Sequence, residues 1–343
     1  MPAQKAQRIL RAMIGIIGGS GLYEMSIESA SWRRIATPFG APSDAFFVGR
    51  IEGRDVAFLP RHGRGHRLLP SELNHRANLW AFKSLGARFL VSVSAVGSLR
   101  AEMRPLDLVL PDQFLDRTKR SLEHTFFGGG IVAHLAFAHP TSDALREILL
   151  AAAKRVLGRR GPKVHPKGVY VNMEGPAFST KAESRMYRKL GGDVIGMTNL
   201  GEAKLAREAE IAYASMAMVT DYDCWKEDEA HVSVEMILGR LRCNADAARE
   251  IVRAAVSSIP LDACWPEHRA LETAILTPRK LWPAATVRKL RPILGRLLGR
   301  PHPKGGSRTA ASHDGPRWKS ARRSAARNQS RSKTRPATPH GGR

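Results

Sequence analysis

Two aspartates one residue apart, Asp221 and Asp223, follow the apolar run Ala212 to Val219 in the stretch Val219-Thr220-Asp221-Tyr222-Asp223-Cys224-Trp225. The run reads as a buried strand, and ligands of open α/β sheets collect outside the carboxyl ends of strands. The pair is therefore placed to bind and protonate a polar heterocycle; the alternative is a turn whose carboxylates cap the next helix. Four more loops at predicted strand ends carry groups suited to an anion. Gly18-Gly19-Ser20-Gly21 offers backbone N–H groups and a hydroxyl. It contains neither Gly-x-Gly-x-x-Gly nor Gly-Lys-Ser/Thr, which excludes the dinucleotide and triphosphate fingerprints. Pro60-Arg61-His62-Gly63-Arg64-Gly65-His66 brings arginines and histidines into a glycine-loosened loop. There Arg61 can grip a phosphate bidentately and His62 can add a donor, unless the loop is only a solvated basic one. Ser94-Ala95-Val96-Gly97-Ser98 and Met197-Thr198-Asn199 add further hydroxyls. Taken together the four loops suit one small inorganic anion better than a nucleotide chain.

The elements that must hold these loops follow from periodicity. Strands are predicted at Met13 to Ile17, Val56 to Leu59, Phe89 to Val93, Leu108 to Leu110, Gly168 to Val171, Val194-Ile195 and Ala212 to Val219. Leu73 to Leu85, Ser142 to Leu157 and Ala182 to Leu190 carry apolar residues at three- and four-residue spacing and read as helices. Alternation of the two implies an α/β domain with an at least partly parallel sheet. Residues 13–275 contain no linker and no repeat, so they read as one domain after an N-terminal extension of residues 1–12 expected to be disordered. Met13 is an alternative start of translation.

Charge divides the chain. Residues 276–343 carry 18 Lys and Arg against one acid, which leaves only +7 of the total +24 for residues 1–275. Residues 276–299 mix basic and apolar side chains from Leu281 to Leu298 and read as a basic amphipathic helix. Residues 300–343 hold too few apolar groups for a core and are expected to be a disordered tail that binds polyanions weakly and without specificity. A nucleic-acid-associated protein using this tail is a reading of a different class. Cys224, Cys243 and Cys264 are an odd number without metal-ligand spacing, which argues against a disulfide framework and for the cytoplasm. No run is long and apolar enough for a membrane helix.

Gly15-Ile-Ile-Gly-Gly-Ser-Gly21, Thr37-Pro-Phe-Gly-Ala-Pro-Ser43, Arg61-His-Gly-Arg64 with His66, Asn78-Leu-Trp-Ala81, Glu174-Gly-Pro176 leading to Ser179 and Ala182-Glu-Ser184, Gly196-Met-Thr198, and Ala203-Lys-Leu-Ala-Arg-Glu208 leading to Asp221-Tyr-Asp-Cys-Trp225 occur in this order. From about Met13 to Pro260 this series resembles the 5′-methylthioadenosine phosphorylases, which belong with the trimeric purine nucleoside phosphorylases. The resemblance implies a single-domain α/β fold with a mixed, partly barrel-like central sheet flanked by helices, and a homotrimer. It implies a pentosyltransferase in which phosphate displaces adenine from 5′-methylthioadenosine, with no organic cofactor and no metal. The family pattern assigns phosphate to Ser20, Arg61, His62, Ser94, the Ala95 backbone and Thr198. It puts Met197 against the ribose and includes Ser179 and Tyr222 in the substrate pocket.

Cleaving a nucleoside builds positive charge on the sugar and negative charge on the base, so the site needs an anionic nucleophile below C1′ and a proton donor at N7. Asp221 is the expected donor, with a pKa raised by burial, and Asp223 the expected acceptor from the exocyclic amine. Two aspartates favour a 6-aminopurine, because a 6-oxopurine presents an acceptor at that position. A broader or 6-oxopurine nucleoside phosphorylase is the alternative. Val234, Ile237 and Leu238 fall on one helical face and either wall the 5′-methylthio group or belong to the core. His134 resembles a residue given to a neighbour's pocket across the trimer interface. Two positions depart from the family: Gly201 stands where proline is expected, predicting a looser Thr198 loop, and Ala177 replaces a larger polar residue.

Overall fold

The computed structural model describes residues 12–226 and 234–299; the side chains of Ser20, of residues 234–238 and of residues 241–244 lie outside the described ones. In chain order the strands and helices are β1 (Met13–Gly18), β2 (Glu28–Arg33), β3 (Phe46–Ile51), β4 (Arg54–Pro60), α1 (His75–Ser84), β5 (Ala87–Ser98), β6 (Leu108–Val109) and β7 (Gln113–Arg117). They continue as α2 (Asp143–Leu157), β8 (Val164–His165), β9 (Val169–Met173), α3 (Lys181–Lys189), β10 (Val194–Gly196), α4 (Asn199–Glu208), β11 (Ala212–Asp221), α5 (Val234–Ser258), α6 (Ala284–Lys289) and α7 (Arg291–Leu298). All the strands join one mixed sheet in the order β2-β3-β4-β1-β5-β10-β9-β7, with β11 branching from β5 toward β6 and β8.

Strand β5 is the hinge of this branching. Its first half pairs in parallel with β1, its length pairs in parallel with β11, and its last two residues pair antiparallel with β10. Ser94 to Ser98, expected as a loop from its small residues, is therefore strand. Pairing on β11 and β10 decides the backbone there, and composition does not. Buried on both faces, β5 and β11 read as continuous runs, as parallel central strands do. Ile14, Ile16, Val91, Val93 and Met216 pack toward α2 and α5 on one side, while Ile17, Leu59, Leu90 and Tyr213 pack toward α1 and α4 on the other.

The segment expected as one amphipathic helix, Leu281 to Leu298, is two short helices after a single turn at Arg279–Leu281. Pro283 caps α6 and Pro292 stands in the first turn of α7, where a missing N–H costs nothing. Leu290, Ile293 and Leu294 enter the same core cluster as Leu79 and Phe82 of α1. Arg296 extends the attachment by pairing with buried Glu210 and with Glu272. Among the described residues no helix is long and apolar enough to cross a membrane, and Cys224 and Cys264 are free thiols.

Candidate active site

The aspartate pair stands where β5, β10 and β11 meet. Gly97 of β5 faces Ile195 of β10 and Asp221 of β11. A Cβ at residue 97 would lie 3.0 Å from Asp221 Oδ1, so the carboxylate's close approach requires glycine here. Asp221 is buried; its Oδ2 accepts from the Thr220 hydroxyl at 2.7 Å and its Oδ1 from the Asp223 backbone N–H at 2.8 Å. The second bond makes an Asx turn, which suits the left-handed φ of 51° at Asp223. Trp225 pins the turn from beyond: its indole N–H donates to the Ser98 carbonyl at 2.8 Å, and the Arg188 guanidinium lies 3.7 Å above its ring.

Burial, with Asp221 beside it, pushes the Asp223 carboxyl above its ordinary range against the lowering pull of the Ser184 and Ser179 hydroxyls. The raised carboxyl identified here is thus the one expected to accept from the exocyclic amine. Ser179 reaches the turn a second way, since the Cys224 thiol donates to its carbonyl at 3.2 Å. Tyr222 lies buried between the two aspartates in sequence. Its hydroxyl donates to the Ala101 carbonyl at 3.3 Å and its ring packs edge-on against Trp225.

At the anion loops Arg61 is turned into the interior. Its side chain is buried, and its guanidinium meets Glu202 of α4 through Nε–Oε1 at 2.6 Å and Nη2–Oε2 at 3.3 Å. Nη1 donates to the Val93 carbonyl and Nη2 to the Ser92 hydroxyl, each at 2.7 Å. The fork that would grip phosphate is occupied by a carboxylate, since a buried cation needs a paired anion more than a solvated one does. His62 gives Nδ1–H to the Leu68 carbonyl at 2.9 Å, which leaves Nε2 as the acceptor. Burial, with the Arg61 charge nearby, lowers its pKa to about 4. Ser94 has a buried hydroxyl with no partner among the described residues. Ala95 sits beside it in β5, and Ser20 begins a single helical turn, Ser20–Leu22, directly after β1.

Thr198 caps the start of α4, with its hydroxyl on Asn199 Oδ1 at 3.1 Å and its side chain buried. Met197 precedes it and packs on Gly175, where a Cβ would stand 2.5 Å from the sulfur. Gly201 lies inside the first turns of α4, and its missing side chain is replaced by two imidazoles. A Cβ there would be 2.7 Å from His124 Nε2 and 3.0 Å from His75 Cδ2. The expected loosening is thus offset by packing from elsewhere in the chain. Burial keeps both rings neutral, with His124 lowered to about 4 and His75 well below its usual value. These two histidines line a cleft with Thr118, Arg120, Asn172, Glu174, Met197 and Thr198, and nothing in their sequence neighbourhoods signals it.

The specificity residues fare differently. Val234, Ile237 and Leu238 belong to α5, but their side chains lie outside the described ones. His134 is exposed on a segment bridged to Ile275, and its backbone N–H donates to the Ala274 carbonyl. No cluster of three metal-ligating side chains occurs among the described residues.

Residues 13–257 match the phosphorylase superfamily. The chain is 54% identical over 297 residues to the S-methyl-5′-thioadenosine phosphorylase of Synechocystis sp., covering 85% of this chain and 90% of that one. The fold is similar to the crystal structure of a methylthioadenosine phosphorylase sourced from an Antarctic soil metagenomic library, with a TM-score of 0.78 and 47% identity over 83% of this chain and 99% of the other. It is also similar to methylthioadenosine phosphorylase from Schistosoma mansoni in complex with adenine, with a TM-score of 0.69 and 38% identity over 76% and 96% of the two chains.

Proposed function

The chain belongs to the S-methyl-5′-thioadenosine phosphorylases of the phosphorylase superfamily, and on that premise we propose how its residues carry out the reaction. It catalyses phosphorolysis of 5′-methylthioadenosine to adenine and 5-methylthioribose 1-phosphate. The observation that carries the residue assignment is the aspartate turn at the carboxyl end of β11, beside Gly97 and three residues along β5 from the unpartnered Ser94 hydroxyl.

Phosphate binds among the Ser94 and Thr198 hydroxyls, the Ser20 loop, the Ala95 backbone and the start of α4, whose N–H groups favour an anion. Neutral His62 accepts, at Nε2, the hydrogen that a monoprotonated phosphate carries. Arg61 supports these groups from behind through Glu202 and does not clamp the anion. Held below C1′, phosphate attacks as the bond to N9 lengthens, and fixing it there removes much of the entropic cost of a bimolecular step. Asp221 donates a proton to N7 of the leaving purine and Asp223 accepts from the exocyclic amine. The Met197 thioether covers one side of the ribose. No organic cofactor or metal takes part.

Three further readings accompany this one. The enzyme works as a homotrimer in the cytoplasm, with His134 completing a neighbour's pocket; its exposure on the single chain and the exposed Leu122 and Phe178 support this. The 5′-methylthio group lies against Val234, Ile237 and Leu238. The basic tail, residues 300–343, is an accessory that binds polyanions weakly.

Release of free base from methylthioadenosine, adenosine, methylthioinosine and inosine, with and without phosphate, tests the reading. Strong phosphate-dependent release from methylthioadenosine is expected. Preference for the inosine compounds would show that Asp221 and Asp223 do not face the base.

A further inference from the structure

The loop that carries His62 is held by Asp44, Ser43 and Tyr23, none of which is assigned to either substrate above. Asp44, just before β3, accepts from Arg64 three times: from its backbone N–H at 2.8 Å, from Nε at 3.0 Å and from Nη2 at 3.0 Å. The Asp44 side chain is 7% exposed, while that of Arg64 is 51% exposed. The exposed guanidinium is nevertheless fixed, because it lies 4.0 Å over the ring of Trp32 in β2. Ser43, the residue before Asp44, is tied to α1 through both polar atoms of the Asn78 side chain. It also closes on the loop, since a Cβ at Gly63 would stand 3.1 Å from its carbonyl oxygen. From the other side the Tyr23 hydroxyl donates to the Gly63 carbonyl at 3.1 Å. Tyr23 follows the Ser20 turn, so this bond joins one anion loop to the other.

We propose that Asp44, acting through Arg64, is a positioning residue for phosphate. It fixes the Arg61–Leu68 loop so that His62 Nε2 and the Ser20 turn face the same anion. The inference rests on the assignment of phosphate to these two loops. A loop with four glycine or histidine positions between Arg61 and Arg67 has many backbone conformations in isolation. Three bonds to one buried carboxylate select one of them, and the bidentate pair sets direction as well as distance. Among the described residues the bonds of Asp44 run to Arg64 and Ala45 and not to the aspartate turn, so the effect is expected to fall mainly on one substrate.

The test is steady-state kinetics of the full chain with phosphate and methylthioadenosine varied in turn, for Asp44→Asn, Arg64→Gln and Tyr23→Phe, with thermal unfolding as the check on folding. Asp44→Asn is expected to raise the phosphate KM by about tenfold or more, as a loop displaced by a fraction of an ångström would, with the nucleoside KM within about twofold. Arg64→Gln keeps the backbone N–H bond and is expected to give a smaller rise, and Tyr23→Phe a smaller one still. Arg64 is on the surface, so its variant remains informative if Asp44→Asn does not fold. Unchanged phosphate KM values, or equal changes in both substrates, overturn the proposal. His62→Ala separates it from the assignment beneath it. A raised phosphate KM in His62→Ala with a normal one in the clamp variants overturns the clamp alone. The reverse pattern overturns the His62 contact and leaves the clamp standing.

Discussion

The two ends of the site, the one proposed for the base and the one proposed for phosphate, hold their charged groups in opposite ways. At the base end Asp221 accepts hydrogen bonds from Thr220 and Asp223, its own neighbours in the chain, and Trp225 ties the turn to Ser98 at the end of β5. At the phosphate end Arg61 takes its partners from Glu202, 141 residues away, and from Ser92 and Val93 of β5. The first arrangement leaves carboxylates on a strand end, partly open to a ligand. The second pairs Arg61 with a carboxylate in the interior and leaves hydroxyls and a neutral imidazole as the remaining polar groups of the proposed anion loops. A buried guanidinium and carboxylate gain little net stability as a pair, but each strongly requires the other. Removing one charged partner is thus expected to cost more stability at the Arg61–Glu202 pair than at the aspartate turn.

The sharpest way to break this contrast is at Asp221. Asp221→Asn is expected to lower kcat for methylthioadenosine by roughly 10²–10⁴-fold, the range for loss of a general acid, with little change in phosphate KM or in unfolding. Full activity in the variant would show that the proton comes from elsewhere, with the raised carboxyl of Asp223 the first alternative. The mirror test is Glu202→Ala, which strands the Arg61 charge in the core and is expected to cost about 3–5 kcal/mol in urea unfolding. The double variant Arg61→Leu, Glu202→Leu is expected to recover a large part of that loss, since no uncompensated charge remains. A Glu202→Ala protein as stable as the parent would mean that the ion pair is not structural, and the contrast between the two ends would disappear.

The same difference governs what the amino-acid sequence discloses. The strand ending at Asp221 and the turn after it are legible because their signals are local: an apolar run, two acids and a tryptophan within a few residues. Helices α1, α2 and α3 were readable for the same reason, from spacing within a single element. Ser94 to Ser98 was misread because pairing with β11 and β10 makes it strand. No local pattern announces Glu202 as the partner of Arg61. The His75 and His124 rings that fill the space at Gly201 come from two distant segments and left no trace in either. The break between α6 and α7 was different: Pro283 and Pro292 were visible, and the apolar spacing from Leu281 to Leu298 outweighed them.

The smallest expected effect concerns the far end of α4, and it sharpens the same contrast through pH. Glu208 is buried where α4 ends; its carboxylate accepts from the Thr125 hydroxyl at 2.7 Å and from the Phe126 backbone N–H at 2.6 Å. Burial outweighs these bonds and raises its pKa from 4.5 to about 7. The folded state therefore favours the protonated form. Its contribution to stability is complete below about pH 4.5, declines as pH rises, and is gone above about pH 7. The parent protein is expected to lose up to about 3 kcal/mol of unfolding free energy between pH 5 and pH 8 on this account, and Glu208→Gln to remove most of that slope. At pH 5 the parent carboxyl is itself protonated, so the amide stands in for it and the variant starts from about the same stability. The two unfolding curves should therefore separate as pH rises, with the parent falling below the variant. A slope that persists unchanged in Glu208→Gln would assign the pH dependence to other groups. Separation would locate a titrating support at the carboxyl end of α4, where Glu208 holds Thr125 and Phe126.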